Sequence, residues 1–186
     1  MPTPLSLLLP LLCLAACKEQ TATDSLTDKR DGKAYKTVNI GEQVWMAENL
    51  DYEAEGSVCY DNDPANCEKY GRLYNWATAK NACSEGWHLP NEDEWDALID
   101  YASGKEKAGE RLKAKNGFSA LPSGSFSFGG GYGSPGGCIT GYSGGGIEGI
   151  HYAYSRKMHF LFDNIRTEEY AYKLDGYSVR CVRDNQ

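Results

Sequence analysis

The sequence predicts an α+β fold stapled by disulfides, and three observations predict it. A short alternating hairpin pattern lies near residue 40, two amphipathic helical stretches follow near residues 76 and 96, and alternating strand patterns close the chain after residue 150. Strands and helices therefore arrive in separate blocks, not as repeated βαβ units, which is the α+β signature. Five cysteines beyond residue 17 supply the staples.

Residues 1–16 contain an apolar run from Leu5 to Leu14, interrupted by Ser6 and Pro10. It is too short to span a bilayer and has the length of a signal-peptide apolar region. The run ends in Leu14-Ala15-Ala16-Cys17, which resembles a bacterial lipobox. In such signals the cysteine becomes the lipidated first residue, so Cys17 is the expected lipidation site. The departure is the absence of Lys or Arg before Lys18. Residues 17–30, rich in Thr, Asp and Lys, read as a flexible tether between lipid and domain. The expected product is exported and anchored to the bacterial outer membrane or cell surface, touching the membrane through that lipid only.

In the domain, residues 31–184, the hairpin comes first: Y-K-T-V-N-I alternates, G-E-Q turns, and V-W-M returns, covering 35–47. The loop C-Y-D-N-D-P-A-N-C at 59–67 is rich in turn formers. Residues 70–82 read as a helix with Leu73, Trp76, Ala77 and Lys80 on one stripe. Gly86 then breaks the chain before W-H-L-P-N-E-D-E-W at 87–95. Asn91 is placed to cap a helix over 91–102, with Glu94 three positions on to complete a capping box. Trp95, Leu98 and Ile99 fall on its inner face, and Trp87, Leu89 and Trp95 are the candidate core. A short helical turn is expected within 105–115.

From Gly124 to Gly149 the chain holds 12 glycines in 26 residues, with Pro135 and Cys138 among them, and reads as a long glycine-rich surface loop. After it, 151–162 alternates. Tyr152, Tyr154, Met158 and Phe160 fall on one face and His151, Lys157 and His159 on the other. Asp163-Asn164 reads as a turn, and 169–174 and 176–183 as the antiparallel C-terminal strands, with Tyr177, Val179 and Cys181 sharing a face.

Cys59 and Cys67 bracket a loop that a local bridge closes. Cys83 and Cys181 would tie the helical region to the last strand. Cys138 is left over in an oxidising compartment, as a free thiol, an intermolecular bridge or a competitor for one of these pairs. A zinc site is disfavoured, since no C-x-x-C pair occurs and the spacings are irregular. The net charge of −7 argues against tracking a phosphate backbone, so no nucleic acid is expected as a partner. No cofactor and no metal are expected.

Five blocks carry a family resemblance: D-G-K-A-Y-K-T-V-N-I-G-E-Q-V-W-M-A-E-N-L at 31–50, C-Y-D-N-D-P-A-N-C at 59–67, Y-G-R-L-Y-N-W-A-T-A at 70–79, G-W-H-L-P-N-E-D-E-W at 86–95 and G-Y-S-V-R-C-V-R at 176–183. In this order they resemble the Fibrobacter succinogenes major paralogous domain. The resemblance implies a C-type-lectin-like fold in surface or secreted bacterial proteins, often lipoproteins. It also agrees with the bridges Cys59–Cys67 and Cys83–Cys181, a helix cysteine joining the last strand in the lectin-like pattern. At 128–149 the glycine-rich stretch stands where family members usually carry an aromatic-rich block.

The lectin-like fold invites a calcium–sugar reading, but E-P-N, Q-P-D and W-N-D are all absent. Asp61, Asn62, Asp63 and Asn66 form an oxygen-rich cluster that reads first as a polar turn. G-W-H-L-P also resembles a segment of formylglycine-generating enzymes, which need two cysteines close together near the chain end. Only Cys181 lies there, so the chain is not expected to be an enzyme. His88 reads as a core residue. Gly131-Tyr132-Gly133-Ser134-Pro135-Gly136 matches G-x-G-x-x-G only formally, because Pro135 forbids the helix that motif requires. Tyrosines remain, with flat apolar faces and polar tips suited to sugars or a protein surface. The candidates are Tyr132, Tyr142, Tyr152 and Tyr154, with Tyr170 and Tyr172 further along. The expected function is thus a lipid-anchored binding module recognising a carbohydrate or a surface protein through its Gly/Tyr-rich region 124–154, the alternatives being a formylglycine-generating-type oxidase and a purely structural envelope protein.

Overall fold

A computed structural model describes residues 21–115, 117–133, 139–142 and 151–184, with side chains described from residue 25 onward and not for 139–142. Cys17, the leader and Cys138 lie outside the described residues, as does much of the glycine-rich stretch. The chain is a mixed α+β structure whose paired strands are all antiparallel among those described.

In chain order the first strands are β1 (Thr21–Thr27), β2 (Ala34–Ile40) and β3 (Gln43–Met46), followed by the short β4 (Ser57–Val58). Helix α1 (Pro64–Tyr70) precedes β5 (Leu73–Tyr74), α2 (Trp76–Ala79) and β6 (Trp87–His88). Helices α3 (Glu92–Tyr101) and α4 (Ala108–Lys113) complete the helical region. Strands β7 (Ser125–Ser127), β8 (Gly131–Gly133), β9 (Ile139–Tyr142), β10 (Tyr152–Met158), β11 (Ile165–Tyr172), β12 (Tyr177–Ser178) and β13 (Val182–Arg183) follow. The sheets run β1-β2-β3-β13-β6, β11-β10-β9, β12-β5-β4 and β7-β8.

The predicted hairpin is β2–β3, with Ile40 opposite Gln43 across the Gly41-Glu42 turn. The last strand β13 then pairs between β3 and β6, so the two ends of the domain meet in one sheet. Val38, Trp45 and Val182 line up across that sheet in register. They join Trp95, Leu98, Leu112 and Phe118 in one buried cluster, with Trp45 packed against Trp95 at 5.2 Å and Phe118 at 5.7 Å. The neighbouring residues Met46 and Cys181 belong to a second buried cluster with Tyr35, Tyr74, Leu89 and Val179. Successive strand residues point to opposite faces, so the middle of this sheet is covered on both sides.

The capping box at the start of α3 is present as predicted. Asn91 Oδ1 accepts from the Glu94 N–H at 3.0 Å, and Glu94 Oε2 accepts from the Asn91 N–H at 2.8 Å. The two bridges Cys59–Cys67 and Cys83–Cys181 are formed. The short helix α4 falls within the stretch expected for it.

Four expectations need correction. Residues 21–27 are not a tether. They form β1 on the free edge of the hairpin, which Thr-rich sequence favours. Arg30 then fastens the following turn. It pairs with the fully buried Asp28 at 2.6 Å, donates to the Ala82 carbonyl at 2.7 Å and stacks on Tyr52 at 3.7 Å.

The single helix read over 70–82 is instead broken. Gly71 closes α1 at φ 75°, where a Cβ would stand 2.7 Å from the Leu50 carbonyl, and Asn75 caps the new helix α2. Helix α1 itself begins inside the loop expected between Cys59 and Cys67, because Asp63 caps it and Pro64 occupies its first turn.

The core trio divides. Trp95 is in the first cluster, Leu89 in the second, and Trp87 is half-buried at the edge of the second. The 151–162 alternation also fails. Ser155 and Arg156 are both buried, so the inward phase changes within β10 and Met158 turns inward while Tyr152 and Tyr154 do not. Phe160 lies beyond the strand and is exposed.

Candidate functional site

The β10–β11 pair builds an aromatic face. Tyr152 stands opposite Tyr172 in the ladder, and the inward neighbours Ala153 and Ala171 are opposite each other and buried. By strand alternation Tyr152 and Tyr154, and Tyr170 and Tyr172, project from the other side. Tyr170 is 66% and Tyr172 53% exposed, large values for such side chains, while Tyr152 and Tyr154 are intermediate. Tyr152 packs edge-on to Tyr170 at 5.8 Å and obliquely on Tyr172 at 4.8 Å. Its hydroxyl donates to Tyr172 Oη at 3.2 Å, and this hydrogen bond raises the Tyr152 pKa above the ordinary 10.

Two small residues under the tyrosines explain why the face stands out. Ala153 and Ala171 let the pair lie flat on the core, and just beyond them the ladder shifts register, with Glu169 and Tyr170 of β11 set against Tyr154 of β10. Alongside, Lys157 pairs with Glu168 across the two strands.

The other expected ligand residues are elsewhere. Tyr132 is half-buried between Tyr60 at 5.0 Å and Phe126 at 5.4 Å, its hydroxyl buried without a hydrogen-bond partner among the described residues. It is a packing residue of the β7–β8 hairpin, and Gly124 permits this contact, since a Cβ there would stand 2.5 Å from the Tyr60 ring. The backbone of Tyr142 is in β9 opposite Ser155, and its side chain lies outside the described residues. Tyr170 and Tyr172 complete the exposed face although only their strand position marked them in the sequence.

The oxygen-rich turn has structural roles. Asp63 Oδ1 caps α1 through the Ala65 N–H at 3.0 Å, and Asn66 donates to the Tyr60 carbonyl at 3.0 Å. Asp61 and Asn62 take φ of 54° and 56°, the left-handed conformation that Asp and Asn tolerate. Among the described residues no group of three or more His, Cys, Asp or Glu could hold a metal ion. Cys181 is fully buried and bonded to Cys83. A cleft of about 950 Å³ beside the Cys59–Cys67 bridge is lined by Asp31, Lys33, Asp51, Glu53, Glu68 and Arg72, and both of its cations are paired within it, Lys33 with Asp51 and Arg72 with Glu53 at 3.0 Å.

His88 is not a core residue but a clasp at the surface. Its Nε2 lies 2.8 Å from Glu94 and its Nδ1 2.5 Å from Asp184, joining β6, α3 and the segment after β13. Burial opposes its protonation, but the hydrogen bonds to Asp184 and Glu94 outweigh it and raise its pKa above the ordinary 6.5. A raised folded-state pKa contributes stability that is full below pH ~6.5 and fades as pH rises through the folded value. Accordingly, His88→Gln should lower the melting temperature most at pH ~5.5 and progressively less toward pH ~9, in a paired series of thermal melts. A pH-independent difference between the two proteins would contradict this origin.

Among the described residues no helix is long and apolar enough to cross a membrane. No curated protein and no solved structure matches the chain. The family model of the Fibrobacter succinogenes major domain matches residues 38–183, from within β2 through β13, which takes in the first buried cluster, all of the second but Tyr35, both bridges and the tyrosine face. The chain belongs to the Fibrobacter succinogenes major domain family.

Proposed function

We propose that this protein is a lipid-anchored bacterial surface module of C-type-lectin-like fold that binds carbohydrate through the tyrosine face of β10–β11. The observation that carries the reading is the exposed pair Tyr170 and Tyr172 beside the half-buried Tyr152 and Tyr154. Flat rings with hydroxyl tips suit the C–H faces and hydroxyls of pyranose rings, and paired strands hold them with little entropy left to lose on binding. The Cys83–Cys181 bridge between helical region and last strand supports the lectin-like assignment, and the Leu14-Ala15-Ala16-Cys17 sequence supports the lipid anchor. A surface protein is the other ligand class that such a face suits.

The test is binding to a panel of soluble and insoluble polysaccharides, cellulose included, followed by Tyr170→Ala and Tyr172→Ala. Each replacement is expected to weaken binding about 5- to 30-fold, a loss of about 1–2 kcal/mol, with the melting temperature nearly unchanged because both rings are exposed. An intact fold that ignores every polysaccharide at millimolar sugar would refute the carbohydrate reading. Metabolic labelling with a fatty acid, lost in Cys17→Ser, tests the anchor separately.

A further inference from the structure

A second surface, at the end of the β10–β11 pair, is built differently from the tyrosine face and does not depend on its reading. Where the two strands turn, Phe160, Leu161 and Phe162 are 53%, 78% and 54% exposed, three consecutive large apolar side chains at one tip. Such a cluster is costly in water and marks a contact site more often than a bare turn.

The backbone of this tip is satisfied from inside the protein. Lys113 at the end of α4 reaches under the loop, and its Nζ donates to the carbonyls of Phe162 at 2.7 Å, Phe160 at 3.1 Å and His159 at 3.4 Å. The Asp163 carbonyl accepts from the Gly109 N–H at 2.8 Å. The Leu161 N–H donates to His159 Nδ1 at 3.1 Å, and the Phe162 N–H to the His159 carbonyl at 3.2 Å. A loop that leaves water strands its carbonyls unless they already have donors, and here four of them do.

The surroundings carry more basic than acidic groups in an acidic protein, although Asp163, next to Phe162, pairs with Lys113 at 3.6 Å. Residues 105–115 carry five basic residues, Lys105, Lys107, Arg111, Lys113 and Lys115, against Glu106 and Glu110, while the whole chain is at −7. This segment is clamped to the tip at both ends, by the Ile165 N–H donating to the Lys105 carbonyl at 2.8 Å and by Lys113. Arg166 is exposed at the start of β11.

We infer that the Phe160-Leu161-Phe162 tip inserts into the interfacial layer of an anionic lipid bilayer. The aromatic and leucine side chains enter the headgroup–acyl boundary while Lys105, Lys107 and Arg166 meet the lipid phosphates. This gives the domain a membrane contact in addition to the N-terminal lipid expected at Cys17, and one that fixes its orientation.

The test uses the full chain with Leu161→Trp, a change at the most exposed tip residue. The native tryptophans make a low background, Trp45, Trp76 and Trp95 being buried and Trp87 half-buried. On vesicles containing phosphatidylglycerol, the added indole should shift its emission to the blue and be quenched by brominated acyl chains. Adding Phe160→Ser and Phe162→Ser should reduce this tip-dependent quenching roughly tenfold or more, and high salt should weaken it. An indole that stays water-exposed while the chain is vesicle-bound would overturn the inference, and so would a blue shift that needs no vesicles and grows with protein concentration, which would assign the tip to a second copy. Equal burial on pure phosphatidylcholine would overturn the role of the basic ring.

Discussion

Replacing Cys83 and Cys181 together by alanine is expected to cost about 4 kcal/mol of folding stability, the larger of the two bridge effects. The bridge joins residues 98 apart in sequence, so in the unfolded chain it closes a loop whose entropy is worth up to about 4.7 kcal/mol. In the folded chain Cys181 is fully buried in the second cluster, between β12 and β13, and Cys83 packs at that cluster's edge. The bridge therefore ties the helical region to the segment that enters two sheets. The Cys59–Cys67 bridge spans only 8 residues and is expected to contribute about 2.5 kcal/mol on the same relation. Denaturant midpoints of the two double-alanine proteins check the order. Equal losses, or a larger loss for the short bridge, would show that native contacts and not loop closure set the effect.

Arg180→Met, which keeps an unbranched stem but no guanidinium, is expected to cost about 3 kcal/mol. Arg180 is buried, and its guanidinium is shared among three oxygens. Nε donates to Asn49 Oδ1 at 2.7 Å, Nη2 to the Ser119 carbonyl at 3.0 Å, and Nη1 to the Phe118 carbonyl. The cation also lies over the Phe118 ring at 4.3 Å. Burial pulls its pKa down to about 9, so it is still charged at neutral pH, with Glu48 the one carboxylate that favours the charge. Methionine replaces the aliphatic stem but withdraws every donor from those oxygens, which is the expensive half of a buried hydrogen bond. Arg180→Lys should recover only part of the loss, because a single ammonium cannot reproduce the planar fork. Urea unfolding of both variants decides the matter. A methionine variant as stable as the original would mean that desolvating the cation had cancelled its bonds.

Local features were the most legible. The hairpin over 35–47, the α3 capping box and the two bridges each depend on residues whose chemistry leaves few alternatives at short range or among few cysteines. Leu73, Trp76, Ala77 and Lys80 satisfy a helical period over 70–82 by accident, while Gly71 and Asn75 break the backbone on either side of β5. Residues 21–27 show no alternating strand signal of their own because an edge strand needs a partner, and the partner is β2. Tyr132 and Tyr152 look equivalent in sequence, yet one packs against Tyr60 and Phe126 and the other stands on an exposed face.

The sequence by itself determined the family and the α+β order of elements, since motif order survives without knowledge of distance, whereas the two bridges it suggested still had Cys138 as a competitor until the structure paired them. Tertiary structure alone decided which tyrosines are exposed, where Arg180 finds its acceptors, and that Lys113 lies under an apolar tip 46 to 49 residues away. The physical reason is that one bulged residue reverses which face a side chain takes, and a hydrogen bond depends on separation in space and not along the chain.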